Sequence, residues 1–462
     1  MHLVLETADD TLVLSDRFQA VPYGTVSESF GDKAPERGHV ETAWIVHPDG
    51  RGHRLFALGL DPSSHSHDYR NCGIRLGRLA ADTPFIAIDL RTFITIDPKD
   101  IGALCEGIAL GGFKPQKPSN QTLRVIVAKH LTQSIHMQAG QSGLVVARWT
   151  NWAREMVERP AADLGPETLA EEITSQAATL GINAEIWDET RMEAEGFGAT
   201  LAVGRGAEAG PRIVVLRHGS GDRSLGLAGK GVTFDTGGLN LKRDPQEIGY
   251  MKSDMAGAVA VAGALFASVE LKQSQDVIAV LPLAENMPSG RALRPGDKVR
   301  HPDNTTTEVL DTDSEGRLLL ADALSWLARQ NVRTMIDVGT LSDGGGVGPE
   351  FWGMWSNSAN LVGELSAAGE NAGDPGWHLP LRKERDTLLP SRIADRSNVA
   401  AGEPDSGQIA ACYLSQFVGK TEWVHIDNGS TAWLLRETGP WPEGATGAPL
   451  RALIQFLCGK TS

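Results

Sequence analysis

The chain has 462 residues, 41% of them hydrophobic, a length at which folding into more than one core is the first expectation. A formal net charge of −15 and a pI near 5.3 repel phosphate backbones and anionic lipid surfaces, which argues against nucleic acid and membranes as partners. Four cysteines, Cys72, Cys105, Cys412 and Cys458, contain no CxxC pair; they exclude a thiolate zinc cage, fit a reducing compartment and read as buried thiols.

The opening stretch MHLVLETADDTLVLSD has no basic segment leading into an apolar run, and nowhere do eighteen apolar residues run together. A cytoplasmic protein without export signal or membrane span is therefore expected. Short apolar runs follow at Thr42 to Val46, Leu55 to Leu58, Phe85 to Leu90 and Leu123 to Val127, read as strands with helices between them. Asp61-Pro62-Ser63-Ser64 and the stretch from Lys114 to Pro118 read as surface connections. Leu144 to Val157 has helical periodicity and is closed by Pro160 and Gly165-Pro166.

Beyond it, helices are predicted at Pro166 to Ala178, Ala256 to Val269, Leu318 to Ala328 and Leu450 to Leu457. Apolar strands are predicted at Ile213 to Leu216, Leu225 to Ala228, Val277 to Leu283 and Thr334 to Val338. Continuous apolar strands alternating with helices indicate an α/β fold whose mixed sheet is covered by helices on both faces. The expected plan is a smaller N-terminal α/β domain (1–139), a connecting helix (140–160) and a larger catalytic α/β domain (161–462).

Three segments carry charged residues among glycines and small residues. LAGKGVTFDTGGLNLK places Lys230 and Asp235 in a glycine-rich turn, with Lys242 after it. It fails as a phosphate-binding loop, because Ser224 stands for the first glycine and Gly231 follows the lysine. In MKSDMAGAVAVAGALF, Asp254 stands just before a helix and, taken alone, reads as an N-cap. In EVLDTDSEGRLLLADALSWL, an extended run from Val309 to Glu315 would put Asp311, Asp313 and Glu315 on one face, with Arg317 pointing into the same region. Converging carboxylates repel unless cations hold them, and oxygen ligands suit Mg2+, Mn2+ or Zn2+.

DTDSEGRLLLAD also imitates a calcium-binding EF-hand loop, but Glu315, Leu319 and Asp322 occupy positions that need other ligands. Thr305 to Thr307 reads as strand rather than as the entering helix of a hand. His65 and His67 read as solvated surface, and His218, His301 and His425 as structural residues.

GKGVTFDTGG, MKSDMAGA and DTDSEGRLLLAD, in this order and spacing, resemble the leucyl aminopeptidase family, dinuclear metallopeptidases that form homohexamers. LGGFKPQK, ERPAADLGPETLAEE, DVGTL, PSRIADRSNV, HIDNGSTAW and GATGAPLRALIQFL extend the similarity over most of the chain from about residue 105. The resemblance implies that Lys230, Asp235, Asp254, Asp313 and Glu315 ligate two divalent ions, with Asp235 and Glu315 bridging. Zinc or manganese is the expected metal, with magnesium and cobalt as alternatives. It further implies that Lys242 and Arg317 are the catalytic cations, Arg317 holding a bicarbonate, and that peptides with a free N-terminus are the substrates. Met251, Asp311, Thr340, Leu341 and Ala445 match or flank the substrate pocket.

Two departures stand out. Asp311 replaces the family's usual Asn, and Ser342-Asp343-Gly344 replaces Thr-Gly-Ala. The alternative is a peptidase shell repurposed as a regulatory or scaffolding module, including DNA binding.

Overall fold

Nine strands of one mixed sheet hold the larger part of the chain together. The computed structural model describes residues 2–7, 36–46, 52–60, 63–83, 85–89, 96–117, 122–127, 133–219, 225–272, 275–400, 402 and 406–459. Asp61, Pro62, Leu90, Pro118 and Ser224, and most of the opening stretch, lie outside the described residues. The chain divides into two compact units, Met1–Asn151 with Gly439–Trp441, and Trp152–Thr438 with Pro442–Ser462.

In the first unit, strands β1 (His2–Thr7), β5 (Thr122–Val127) and β4 (Phe85–Asp89) form a parallel sheet, and β2 (Val40–Val46) and β3 (Gly52–Leu58) an antiparallel pair. Helices α1 (Ser66–Leu79) and α2 (Pro98–Gly111) supply Tyr69, Leu76, Ile101, Leu104 and Ile108 to its core. Helix α3 (Gln133–Glu158) covers the predicted run from Leu144 to Val157, and the division between the units falls within it.

In the second unit the strand order is β15 (Gly376–His378), β14 (Trp352–Ser356), β17 (Glu422–Asp427), β13 (Thr334–Gly339), β8 (Leu225–Gly229), β10 (Val277–Asn286), β7 (Arg212–His218), β6 (Asn183–Trp187). Short β9 (Gly231–Asp235) adds beside β10. The centre, β17 to β10, is parallel, while β14, β7 and β6 run antiparallel to their inner neighbours. The sheet is thus mixed, as the apolar strands predict, because helical crossovers bring the central strands back in one direction.

Helices α5 (Ala256–Glu270) and α6 (Gly316–Ala328) cover opposite faces; α4 is Pro166–Thr179. On β8, a Cβ at Gly229 would meet Ala258 of α5, whereas one at Gly226 would meet Leu327 of α6. Residues three apart on a strand point to opposite sides. Helical residues Pro245–Glu270 have the length and hydropathy of a membrane span, but 89% of that window is buried inside the protein. Their apolar character reflects a core helix.

The cysteine expectation needs one correction. Cys72, Cys105 and Cys412 are buried, but Cys458, in the last turn of the C-terminal helix Leu450–Gly459, is only half-buried. Burial pushes the Cys72 and Cys105 thiols up to about 12. His65 and His67 are exposed. His301 is buried between Asp322 (Nδ1 to Oδ1, 2.7 Å) and Thr307 (Nε2 to Oγ1, 2.8 Å), and His425 Nδ1 lies 2.6 Å from Asp337 Oδ1.

Asp322 also accepts from the Thr200 amide at 2.8 Å and its hydroxyl at 2.9 Å, so one carboxylate ties α6 to two neighbouring segments. Asp322→Ala should cost about 3–5 kcal/mol, since it strands buried donors without a partner. Asp322→Asn should cost less. Thermal unfolding of both variants checks this order.

Candidate functional site

The candidate site lies where parallel strands end, the edge at which open α/β sheets place ligands. Lys230 follows the last residue of β8, and its side chain is 4% exposed. Its Nζ lies 2.7 Å from Asp254 Oδ1 and 2.9 Å from Glu315 Oε1, and donates to the Thr340 carbonyl at 2.8 Å. Gly316 makes room for this amine, because any Cβ there would collide with the lysine's Cδ, Cε and Nζ.

Asp254 is not the helix cap that its position before a helix suggests. It sits inside a 3-10 turn, Met251–Met255, and the residue capping α5 is Met255, with no side-chain cap bond. The Asp254 carboxylate turns inward, where Oδ1 meets Lys230 and accepts from Thr340 Oγ1 at 2.6 Å.

Asp235 closes β9. Its Oδ1 accepts from the Gly237 amide (2.9 Å) and from Asn286 Nδ2 (2.8 Å), and its Oδ2 faces Lys242 Nζ at 3.0 Å. Gly237 and Gly238 both adopt positive φ, 85° and 64°, which lets the chain reverse and bring Lys242 back. Lys242 Nζ also lies 2.6 Å from Asp313 Oδ1.

The run from Val309 to Glu315 is not extended. Strand pairing there ends at Glu308, in the strand Thr306–Glu308. The Asp313 amide then donates to Asp311 Oδ1 at 2.9 Å, forming a local turn, and Glu315 has helical φ and ψ of −75° and −36°. Alternation therefore does not align the three acids. Asp235, Asp313 and Glu315 nevertheless bring ligand oxygens within 4.8 Å of one another, through a turn rather than a pleat.

Asp311 lies on the cavity wall but outside that trio, with Oδ1 spent on the turn. Asp322, the twelfth position of the imitated calcium loop, points to His301 and Thr200 instead. The EF-hand reading fails on that geometry as well.

Arg317, in the first turn of α6, is buried, donates Nη1 to the Asn398 carbonyl at 2.8 Å and lines the same cavity. The cavity measures about 1500 Å³ and takes in Lys230, Asp235, Lys242, Asp254, Asp313 and Glu315. Met251, Thr340 and Leu341 are also on its wall. Ala445 is not among the lining residues: it is buried, its amide held by Glu158 Oε1 at 3.0 Å and its carbonyl by Arg154 Nε at 2.8 Å.

Two structural asparagines escaped the sequence reading. Asn286 holds Asp235 and donates to the Thr312 carbonyl at 2.9 Å, linking two acidic segments. Asn398 accepts the Leu310 amide at 2.8 Å and donates to the Asp311 carbonyl at 2.7 Å, pinning the acidic turn. Asn286 carried a readable signal, a polar residue at the end of an apolar strand. Asn398 carried none beyond its place in PSRIADRSNV.

Electrostatically the cluster is short of positive charge, with four buried or half-buried carboxylates around two amines. Burial pushes the Asp313 carboxyl up to about 7, helped by Asp235 and Glu315. Burial likewise raises Asp254 and Glu315, each against the pull of Lys230. For Lys230 and Lys242, burial favours the neutral amine, but the surrounding carboxylates outweigh it and raise both pKa values. Asp254 Oδ2 and Glu315 Oε2 are buried without a hydrogen-bond partner. Hard oxygen donors, one amine and unsatisfied carboxylate oxygens fit divalent cations, whose charge would invert this pattern and favour a neutral Lys230.

The comparisons with known proteins agree with this chemistry. Residues 151–454 match the model of the cytosol aminopeptidase family, catalytic domain. The chain is 40% identical over 324 residues to a probable cytosol aminopeptidase of Halorhodospira halophila, a match covering 69% of this chain and 64% of that protein. It thus spans just under two thirds of that relative's length. It is 37% identical over 430 residues to a probable cytosol aminopeptidase of Geotalea uraniireducens, covering 88% of this chain and 85% of the relative. Among solved structures, the bottromycin maturation enzyme BotP in complex with Mn superposes with a TM-score of 0.84 at 32% identity, covering 99% of this chain and 98% of the other. With a family match over more than half its length, the chain belongs to the cytosol aminopeptidase family.

Proposed function

We propose that this chain is a metal-dependent aminopeptidase that releases the N-terminal residue of peptides, using two divalent ions held by Lys230, Asp235, Asp254, Asp313 and Glu315. The observation carrying this reading is the convergence of Asp235, Asp313 and Glu315 within 4.8 Å, beside buried carboxylate oxygens that nothing in the protein satisfies. When bound, such ions supply Lewis acidity, which polarises a carbonyl and makes water nucleophilic at neutral pH. Manganese, zinc, magnesium and cobalt all suit the donors.

The chain's own groups then divide the remaining tasks. The Lys242 ammonium, held between Asp235 and Asp313, keeps its proton and stabilises negative charge developing on the carbonyl oxygen. The Arg317 guanidinium cannot serve as a base. It can anchor a small anion such as bicarbonate, which would accept and return the proton. An ion held by these residues would offer a place for the peptide's free amine, which would account for attack at the first peptide bond only.

The family resemblance extends the proposal to a homohexamer in the cytoplasm, with catalysis in the second unit and the region 1–139 as a separate N-terminal domain. All seven predicted metal-binding and catalytic residues are present, and no observation favours a repurposed scaffold.

Mn2+-loaded protein should hydrolyse an aminoacyl anilide, EDTA should stop it, and the N-acetylated anilide should resist cleavage. Equal turnover of the blocked substrate contradicts exopeptidase action. Glu315→Gln should lower bound metal, measured by atomic emission, and abolish turnover. Lys242→Met should retain metal yet reduce kcat by ~10²–10³. For Arg317, bicarbonate depletion should lower kcat and readdition restore it in the wild type. Arg317→Ala should show low kcat that bicarbonate does not change.

A further inference from the structure

Two guanidinium groups on the cavity wall, Arg382 and Arg436, have no part in the chemistry above. Both residues are exposed, and among the described residues neither guanidinium makes an ion pair or hydrogen bond. Some arginines of the same unit find carboxylates, as Arg159 does with Glu172 and Arg212 with Glu167, and others, such as Arg243 and Arg291, are exposed away from the cavity; Arg382 and Arg436 are set apart by lining it.

Packing relates the two arginines to the cluster. The loop after β13 starts at Thr340, whose carbonyl accepts from Lys230 and whose hydroxyl donates to Asp254. It continues through Gly344 and Gly345, both at positive φ. A Cβ on Gly345 would strike Leu379, which leads through Pro380 to Arg382. One on Gly344 would strike Ser430, which leads to the strand Trp433–Leu434 and then Arg436. The loop is also held at its start, where Asp427 takes the Ser342 hydroxyl at 2.5 Å and the Leu341 amide at 3.3 Å. Asp343, on the same loop, is exposed and lies within ion-pair distance of neither arginine.

One cavity therefore combines an acidic, metal-fitting cluster with wall segments that present two uncommitted guanidiniums. A guanidinium matches a carboxylate in a two-pronged geometry and keeps its charge at any working pH. We propose that the cavity favours peptides carrying a carboxylate, bound by Arg382 and Arg436 while the free amine is held at the cluster. This rests on the aminopeptidase reading. The carboxylate can be the C-terminus of a short peptide or an acidic side chain, and the two sources are separable.

The test compares kcat/KM of the Mn2+-loaded enzyme for Leu-Gly against Leu-Gly-amide, and for Leu-Asp-amide against Leu-Asn-amide. The carboxylate member of at least one pair should be favoured by about tenfold, the scale of one charge-assisted hydrogen bond. In the Arg382→Gln/Arg436→Gln double variant that ratio should fall to about one, mainly through KM. The Arg382→Lys/Arg436→Lys variant should keep part of it. A preference in the first pair identifies the C-terminus, and one in the second identifies the side chain.

Ratios near one for both pairs in the wild type, or a ratio that survives the double Gln variant, overturn the proposal while aminopeptidase action stands. If the wild type leaves a leucyl anilide intact, the aminopeptidase reading and this proposal fall together. Both arginines are exposed, so unchanged melting of the Gln variant shows that the comparison concerns binding rather than folding.

Discussion

Lys230 stands 2.7 Å from Asp254 and 2.9 Å from Glu315 in a pocket that all but excludes solvent. Lys242 stands between Asp235 and Asp313. Four acids and two amines packed this closely are costly to desolvate, and their mutual attraction leaves carboxylate oxygens unsatisfied. The apolar packing of the sheet, α5 and α6 behind the cluster fixes the positions from which these side chains project. That frame holds like charges close together.

Each member of the cluster comes from a different local device. Lys230 precedes short β9 and Asp235 ends it, Asp254 comes from a 3-10 turn, and Asp313 and Glu315 come from a turn leading into α6. Asn286 locks the Asp235 strand to the acidic turn, and Asn398 pins that turn. A site assembled from strand ends is positioned by the sheet's register rather than by flexible surface loops. The wall is less uniform, for the loop after β13 starts at the cluster and packs against the segments that present Arg382 and Arg436.

The sequence by itself determined several large elements of the second unit, such as α5, α6, β10 and β13, and the acids and lysines that gather at the site, but not the helix Ala359–Ala372 or the central strand β17. Long apolar runs and glycine-flanked charges need no tertiary information to be noticed, because unpaired charge among small residues conflicts with ordinary surface composition. Only the tertiary structure decided how the acids meet. Asp254 turned from capping to the cluster, Asp313 reached it through a turn anchored on Asp311, and Ala445 withdrew from the wall. The bonds that settle these outcomes join residues far apart in the chain, such as Asn286 to Asp235 and Asn398 to Asp311. Local pattern records what a segment prefers, whereas direction and burial depend on partners that only folding brings near.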